Sequence, residues 1–219
     1  MSLQTLLIVN PAAGGGRAAR ALDRVLEELA PLRPFDVFVT QPGLERPAEH
    51  AAFEAVRAGA TRILVLGGDG SSSQAVSGIY RAGGVEALGR VALGLLPAGT
   101  GRDYARSAGI SRDPVAAART LARGAVARRV DVGVVHLAGG VDRLFLNVAS
   151  FGISAQIAHA LEEYPQLKRR AGVVAFGLAT VRAGLHYAPD EMELRVDLAA
   201  AQRGPTAAVA IANGGWFGG

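Results

Sequence analysis

The chain has 219 residues, half of them hydrophobic and 19% charged, which supplies apolar material for a sizeable core and excludes a disordered segment. Its formal charge is +4 with a pI near 10.1, a modest excess that favours anionic partners; aromatics are only 5% and do not interleave Arg128-Arg129 or Lys168-Arg169-Arg170 as a nucleic-acid platform would require. No cysteine occurs, so disulfides, zinc–thiolate sites and cysteine nucleophiles are excluded.

Met1-Ser2-Leu3-Gln4 has no basic n-region and runs into a short strand, so no secretory signal is expected. Ala171 to Val181 is the longest apolar run, ended by Arg182 before it reaches the ~18 residues of a membrane span. A soluble, cytoplasmic protein is therefore expected. Leu6-Leu7-Ile8-Val9 reads as a buried strand, broken by Asn10-Pro11-Ala12-Ala13-Gly14-Gly15-Gly16. Leu22, Val25, Leu26 and Leu29 have helical spacing, and Pro31 and Pro34 end that helix. Phe35 to Thr40 is a second strand, Ala48 to Ala58 a second helix closed by Gly59, and residues 62–66 a third strand. Val91 to Leu96 is a fourth strand, broken by Pro97-Ala98-Gly99-Thr100-Gly101, and Pro114 to Arg123 a further helix.

The third strand stops at Gly67-Gly68-Asp69-Gly70-Ser71, after which Ala75, Val76 and Ile79 resume helical spacing. A glycine turn between a strand and a helix presents bare N–H groups, a geometry that attracts phosphate. Asp69 would repel phosphate unless a metal or a substrate hydroxyl lay between; an ordinary tight turn, with Asp69 satisfying its own backbone, accounts for the same residues. Strands alternating with helices imply a parallel sheet, and three glycine turns (10–16, 67–71 and 97–101) fall at its carboxyl edge, where ligands of open α/β sheets collect.

Beyond Arg128 the pattern changes. Val130 to Val135, which includes Asp131, and Arg143 to Val148 alternate about Gly139-Gly140 and predict a hairpin of an antiparallel sheet. A helical stretch over 153–186 is interrupted near Pro165, and Glu193 to Leu198 and Ala207 to Ala212 are strands separated by Arg203-Gly204-Pro205. The expectation is an α/β protein: a doubly wound parallel-sheet domain over residues 1–124, then a β-rich domain over 125–219. The last stretch, Asn213 to Gly219, reads as a loop, so the second sheet looks unfinished and the chain is expected to be a fragment. The four histidines share no metal-ligand spacing. Neither a Gly-x-Ser-x-Gly elbow nor a P-loop occurs.

Five stretches together, Asn10 to Gly16, Gly67 to Ser71, Leu96 to Arg106, Asn147-Val148-Ala149-Ser150-Phe151-Gly152 and Ala212-Asn213-Gly214, resemble the catalytic domain of the diacylglycerol kinase family, which includes bacterial lipid kinases, sphingosine kinases and ceramide kinases. The resemblance implies a first domain like that of NAD kinase and phosphofructokinase, a second that is a β-sandwich, and ATP and Mg2+ in the cleft between them. The implied reaction moves the γ-phosphoryl of ATP to a lipid hydroxyl at the membrane surface. The nucleotide would contact Asn10, Thr40, Gly67, Gly68, Asp69, Gly70, Ser71 and Thr100, and Asp69, Asp103 and Asp131 would carry catalysis and hold Mg2+ through water. On local grounds alone Asn10 begins a turn, Thr40 ends a strand, Thr100 caps a helix and Asp103 pairs with Arg106. Ser71, Gln74 and Arg102 stand where the family usually has Thr, Glu and Asn, and the family's C-terminal Asp-Gly motif is absent. A kinase with a soluble acceptor and a non-catalytic nucleotide- or lipid-binding module remain alternatives. Association into a homodimer stays open, and no nucleic-acid partner is expected.

Overall fold

The computed structural model describes residues 4–124, 127–157 and 172–216. Strands β1 (Thr5–Val9), β2 (Asp36–Val39), β3 (Arg62–Gly67) and β4 (Ala92–Pro97) form a four-stranded sheet in the order β2-β1-β3-β4. All three pairings are parallel, with Leu6 opposite Ile63, Ile8 opposite Val65, and Leu64 opposite Gly94. Because successive side chains of a strand alternate between faces, the unbroken apolar runs serve both faces at once. Leu6, Ile8, Ile63 and Val65 pack on one face with Ala51, Ala52 and Val56 of α2 (Pro47–Arg57) and Ala75 and Ile79 of α3 (Asp69–Arg90). Leu7, Val9, Leu64 and Leu66 pack on the other with Ala18 and Val25 of α1 (Ala13–Glu28) and Val115 and Ala118 of α5 (Pro114–Ala122). Leu7, Ile8, Ile63, Leu64 and Leu66 are fully buried; each such side chain contributes about 1.5–3 kcal/mol. The doubly wound parallel sheet expected from the sequence is present.

A short helix α4 (Asp103–Ser107) follows the third glycine turn. Strands β5 (Gly133–Leu137) and β6 (Val141–Phe145) pair antiparallel, as the alternating pattern predicted, but β5 starts three residues later than expected and leaves Asp131 outside it. Leu144 and Leu146 pack with Val76 of α3 and Tyr104 of α4, and the Leu144 N–H donates to Ser77 Oγ at 3.3 Å. The hairpin thus belongs with the sheet domain, since its apolar face is covered there. The chain divides into two compact units, Met1–Val148 with Asn213–Gly219, and Ala149–Ala212.

Most of β7 (Val148–Gly152) lies in the second unit with α6 (Gly172–His186), β8 (Asp190–Leu194), β9 (Gln202–Thr206) and β10 (Ala208–Ala212). There β7 pairs with β10 and β8 pairs antiparallel with β9. Arg203-Gly204-Pro205, expected as a separating turn, is instead the middle of β9. Its ladder has one partner, so Pro205 can sit on the free edge without breaking a hydrogen bond. The predicted interruption near Pro165 lies outside the described residues. No helix among the described residues is long and apolar enough to cross a membrane.

Candidate active site

Three glycine turns meet at the carboxyl edge of the sheet, all within the first unit. The first follows β1. Asn10 N–H donates to the Leu66 carbonyl at 2.9 Å, Asn10 Oδ1 accepts from Ala12 N–H at 3.2 Å, and Asn10 Nδ2 donates to Ser71 Oγ at 3.1 Å. One side chain therefore begins its own turn and reaches the second, so the local and the functional readings of Asn10 describe the same geometry. Gly14, Gly15 and Gly16 all have positive φ, and a Cβ on Gly14 would collide with the Ala98 carbonyl oxygen. Glycine is required there for both conformation and space.

The second and third turns touch through backbone. The Gly67 carbonyl accepts from the N–H groups of Ala98 at 2.8 Å and Gly99 at 3.2 Å. A Cβ on Gly99 would lie 2.6 Å from Gly68 Cα. Such close approach leaves main-chain atoms as the lining of the cradle. Ser71 is buried, and Ser72 closes the start of α3 by donating both N–H and Oγ to the Gly68 carbonyl. Thr40 is buried at the end of β2, with its N–H donating to the Val9 carbonyl at 2.8 Å.

Asp69 opens α3 and Asp103 opens α4, and the Asp103 N–H donates to Asp69 Oδ2 at 3.3 Å. Burial pushes the Asp69 carboxyl above the ordinary aspartate value; backbone N–H groups of residues 102–104 oppose that, and the charge of Asp103 adds to it. Asp103 is itself buried, and its carbonyl accepts from Ser107 Oγ at 3.1 Å. Arg106 lies over the Trp216 ring, 3.2 Å from its centroid.

Two further predicted residues face solvent. Thr100 is exposed. Asp131 is exposed too, and its carbonyl accepts from Asn213 Nδ2 at 2.8 Å. Among the described residues no group of three Asp, Glu or His side chains is disposed to hold a metal. Gln74, expected to alter the site's charge, uses its Oε1 to accept the Ala48 N–H at 3.3 Å, satisfying a free donor in the first turn of α2. Sequence reasoning missed Arg17, whose Nη1 donates to the Gly99 carbonyl at 2.7 Å across the cradle. Its place one residue after the glycine trio was the available signal.

Asn147 and Asn213, quoted above only for their resemblance, form a latch inside the first unit. Asn213 Nδ2 also donates to the Leu146 carbonyl, the N–H groups of Asn213 and Gly214 donate to the Asn147 carbonyl, and Asn147 Nδ2 donates to the Trp216 carbonyl. Residues 213–216 are thereby held against β6 and α4.

The structure is an α/β domain whose parallel sheet carries three touching glycine turns, the buried Asp103 and the half-buried Asp69 at its carboxyl edge, the edge where ligands of open α/β sheets collect. Comparison with known proteins gives that class its family. The model for the diacylglycerol kinase catalytic domain matches residues 4–135, and the chain belongs to this family. A diacylglycerol kinase of Bacillus subtilis is 27% identical over 191 residues, 87% of this chain and 59% of the relative. A diacylglycerol kinase of Mycobacterium tuberculosis is 32% identical over 151 residues, 68% of this chain and 46% of the relative. The chain thus spans about half the length of the curated relatives it matches. A solved structure of a diacylglycerol kinase from Bacillus anthracis shares the fold with TM-score 0.66 at 24% identity, covering 97% of this chain and 65% of that one.

Proposed function

We propose that this chain carries the nucleotide site of an ATP-dependent lipid kinase, which transfers the γ-phosphoryl group to a hydroxyl of diacylglycerol or a related lipid. The observation that carries the reading is Asp69, a half-buried carboxylate at the mouth of a glycine cradle whose pKa burial raises, in a chain of the diacylglycerol kinase family. Phosphoryl transfer asks little covalent chemistry of a protein and much positioning. Main-chain N–H groups of Gly67 to Ser71 hold phosphate oxygens, Asn10 and Thr40 border the nucleotide from β1 and β2, and Thr100 meets it from the third turn. Asp69 orients the lipid hydroxyl and takes its proton; a pKa raised by burial makes it a better acceptor than an ordinary aspartate.

The pair Asp69 and Asp103 fits a hydrated Mg2+, which favours one or two carboxylates, water and substrate phosphate over a full protein cage. When bound, the ion spreads the charge of the transferring group. Asp131 joins through water. The protein is cytoplasmic and touches the inner face of the membrane while its lipid is in place. The test is radiolabelled ATP with vesicles containing diacylglycerol, ceramide or sphingosine. Transfer to one of these lipids is expected, and Asp69→Asn is expected to lower the rate by about 10²–10⁴-fold. ATP binding with no transfer to any acceptor would instead mark a non-catalytic nucleotide module.

A further inference from the structure

Three arginines converge on the glycine turns, and among the described residues no carboxylate pairs with them. Arg17 Nη1 donates to the carbonyls of Gly99 at 2.7 Å and Ala98 at 3.4 Å. Arg112 Nη2 donates to the Gly101 carbonyl at 3.3 Å, and Arg102 Nη1 to the Arg112 carbonyl at 2.9 Å. Among the described residues, Arg46, Arg81, Arg119 and Arg203 each pair with a glutamate, whereas every acceptor of these three is a backbone carbonyl. Burial lowers the basicity of Arg102, and the charges of Arg17 and Arg112 lower it further, so the three guanidinium groups lie in one another's field.

Arg102 is also held at some cost. Its φ of 59° and ψ of 36° are left-handed, an uncommon conformation for arginine. Its Nε is buried without a hydrogen-bond partner. The side chain lines a small recess with Gly67, Gly68, Asp69, Ser72 and Pro97, on the floor of the phosphate cradle. A planar guanidinium with free donors matches a phosphate oxygen pair, and an oxyanion chain would relieve the repulsion among three like charges.

We propose that Arg102 and Arg112, with Arg17, form a guanidinium clasp for the outer phosphates of a nucleoside triphosphate, so that the site senses the length of the phosphate chain. This rests on the nucleotide reading above and adds the group that discriminates the ligand. Full-length protein is titrated by calorimetry with ATP, AMP and inorganic tripolyphosphate. Tripolyphosphate binds the unaltered protein and competes with ATP. Arg102→Gln and Arg112→Gln each weaken ATP and tripolyphosphate by about tenfold or more, AMP changes by less than about twofold, and Arg102→Lys restores part of the loss. Arg112 is exposed, so its variant keeps the comparison available even if Arg102→Gln fails to fold.

Equal weakening of AMP and ATP, or unchanged tripolyphosphate affinity in the folded variants, overturns the clasp and leaves the nucleotide reading standing. Binding of tripolyphosphate without ATP overturns the clasp for a nucleoside triphosphate together with the nucleotide reading. Binding of neither removes both.

Discussion

Asp69 is half-buried and Glu49 buried, yet the two carboxylates respond to pH with opposite signs. The folded-state pKa of Asp69 is raised, first by burial, so its protonated form favours the fold. The stability it contributes is present below the unfolded-state pKa and is lost as pH rises through the folded value. Asp69→Asn is therefore expected to melt at or above the unaltered protein at pH 7 in the absence of ligand, even though it is expected to slow transfer. A lower melting temperature there would mean that the carboxylate serves the fold and not the site. Glu49 sits buried at the start of α2, held by Arg46 and by Arg81 Nη1 at 2.7 Å. Burial alone would raise its pKa, but the hydrogen bonds from the two arginines outweigh it and hold the carboxyl below its ordinary value. Its contribution is present above the unfolded-state pKa and lost as pH falls through the folded value. Glu49→Gln keeps the volume and loses the charge. Urea unfolding at pH 7 should show a loss of about 1–3 kcal/mol that narrows as pH falls; a loss independent of pH would assign Glu49 a packing role alone.

At the scale of elements, the site depends on two turns being closer than side chains permit. Gly68 and Gly99 face each other across the ends of β3 and β4, and the nearest atoms to an added Cβ on Gly99 are backbone. Backbone joined to a four-stranded sheet cannot yield as a flexible side chain would. Gly99→Ala should therefore part the turns and lower ATP affinity by about tenfold or more, roughly 1.4 kcal/mol or above. Calorimetric titration with ATP checks this, and unchanged affinity would show that the cradle does not need the close approach. The turns themselves were legible in the sequence, because runs such as Leu64-Val65-Leu66-Gly67-Gly68 can be neither strand nor helix throughout. Their mutual contact was not: it is made between residues about thirty apart in the chain and needs the parallel register of β3 and β4. The same holds for Gln74, whose role as a donor-satisfying group for α2 depends on how two helices cross. The start of β5 beyond Asp131 and the strand through Pro205 also escaped the sequence pattern, since alternation marks strands well and their ends poorly.

Over the whole molecule, burial is uneven. The core of large apolar side chains lies in the first unit, and Ala183 is the one buried hydrophobic residue of the second among the described residues. β8 and β9 form an isolated two-stranded pair with mostly exposed side chains. Such pairs are marginal in water. Amide hydrogen exchange should protect β1, β3 and β4 up to the global unfolding free energy, while β8 and β9 exchange at least an order of magnitude faster. Equal protection in all five strands would show that the second unit gains its stability from elsewhere.

The sequence by itself determined the alternation of strand and helix, the three glycine turns at one sheet edge, the family to which they belong, and Asp69 as the carboxylate among them. These follow from local physics: apolar periodicity, the conformational freedom of glycine, and the awkwardness of a charge in a phosphate-binding turn. Only the tertiary structure decided that the β5–β6 hairpin belongs with the sheet domain and that Asp69 lies beside Asp103. It also decided that Arg106 lies over Trp216 and that Arg17, Arg102 and Arg112 gather at the cradle on backbone carbonyls, with no carboxylate partner among the described residues. Each of these is a contact between segments distant in sequence, set by which apolar faces cover one another and by where the sheet's register carries the turns. No local pattern encodes that choice.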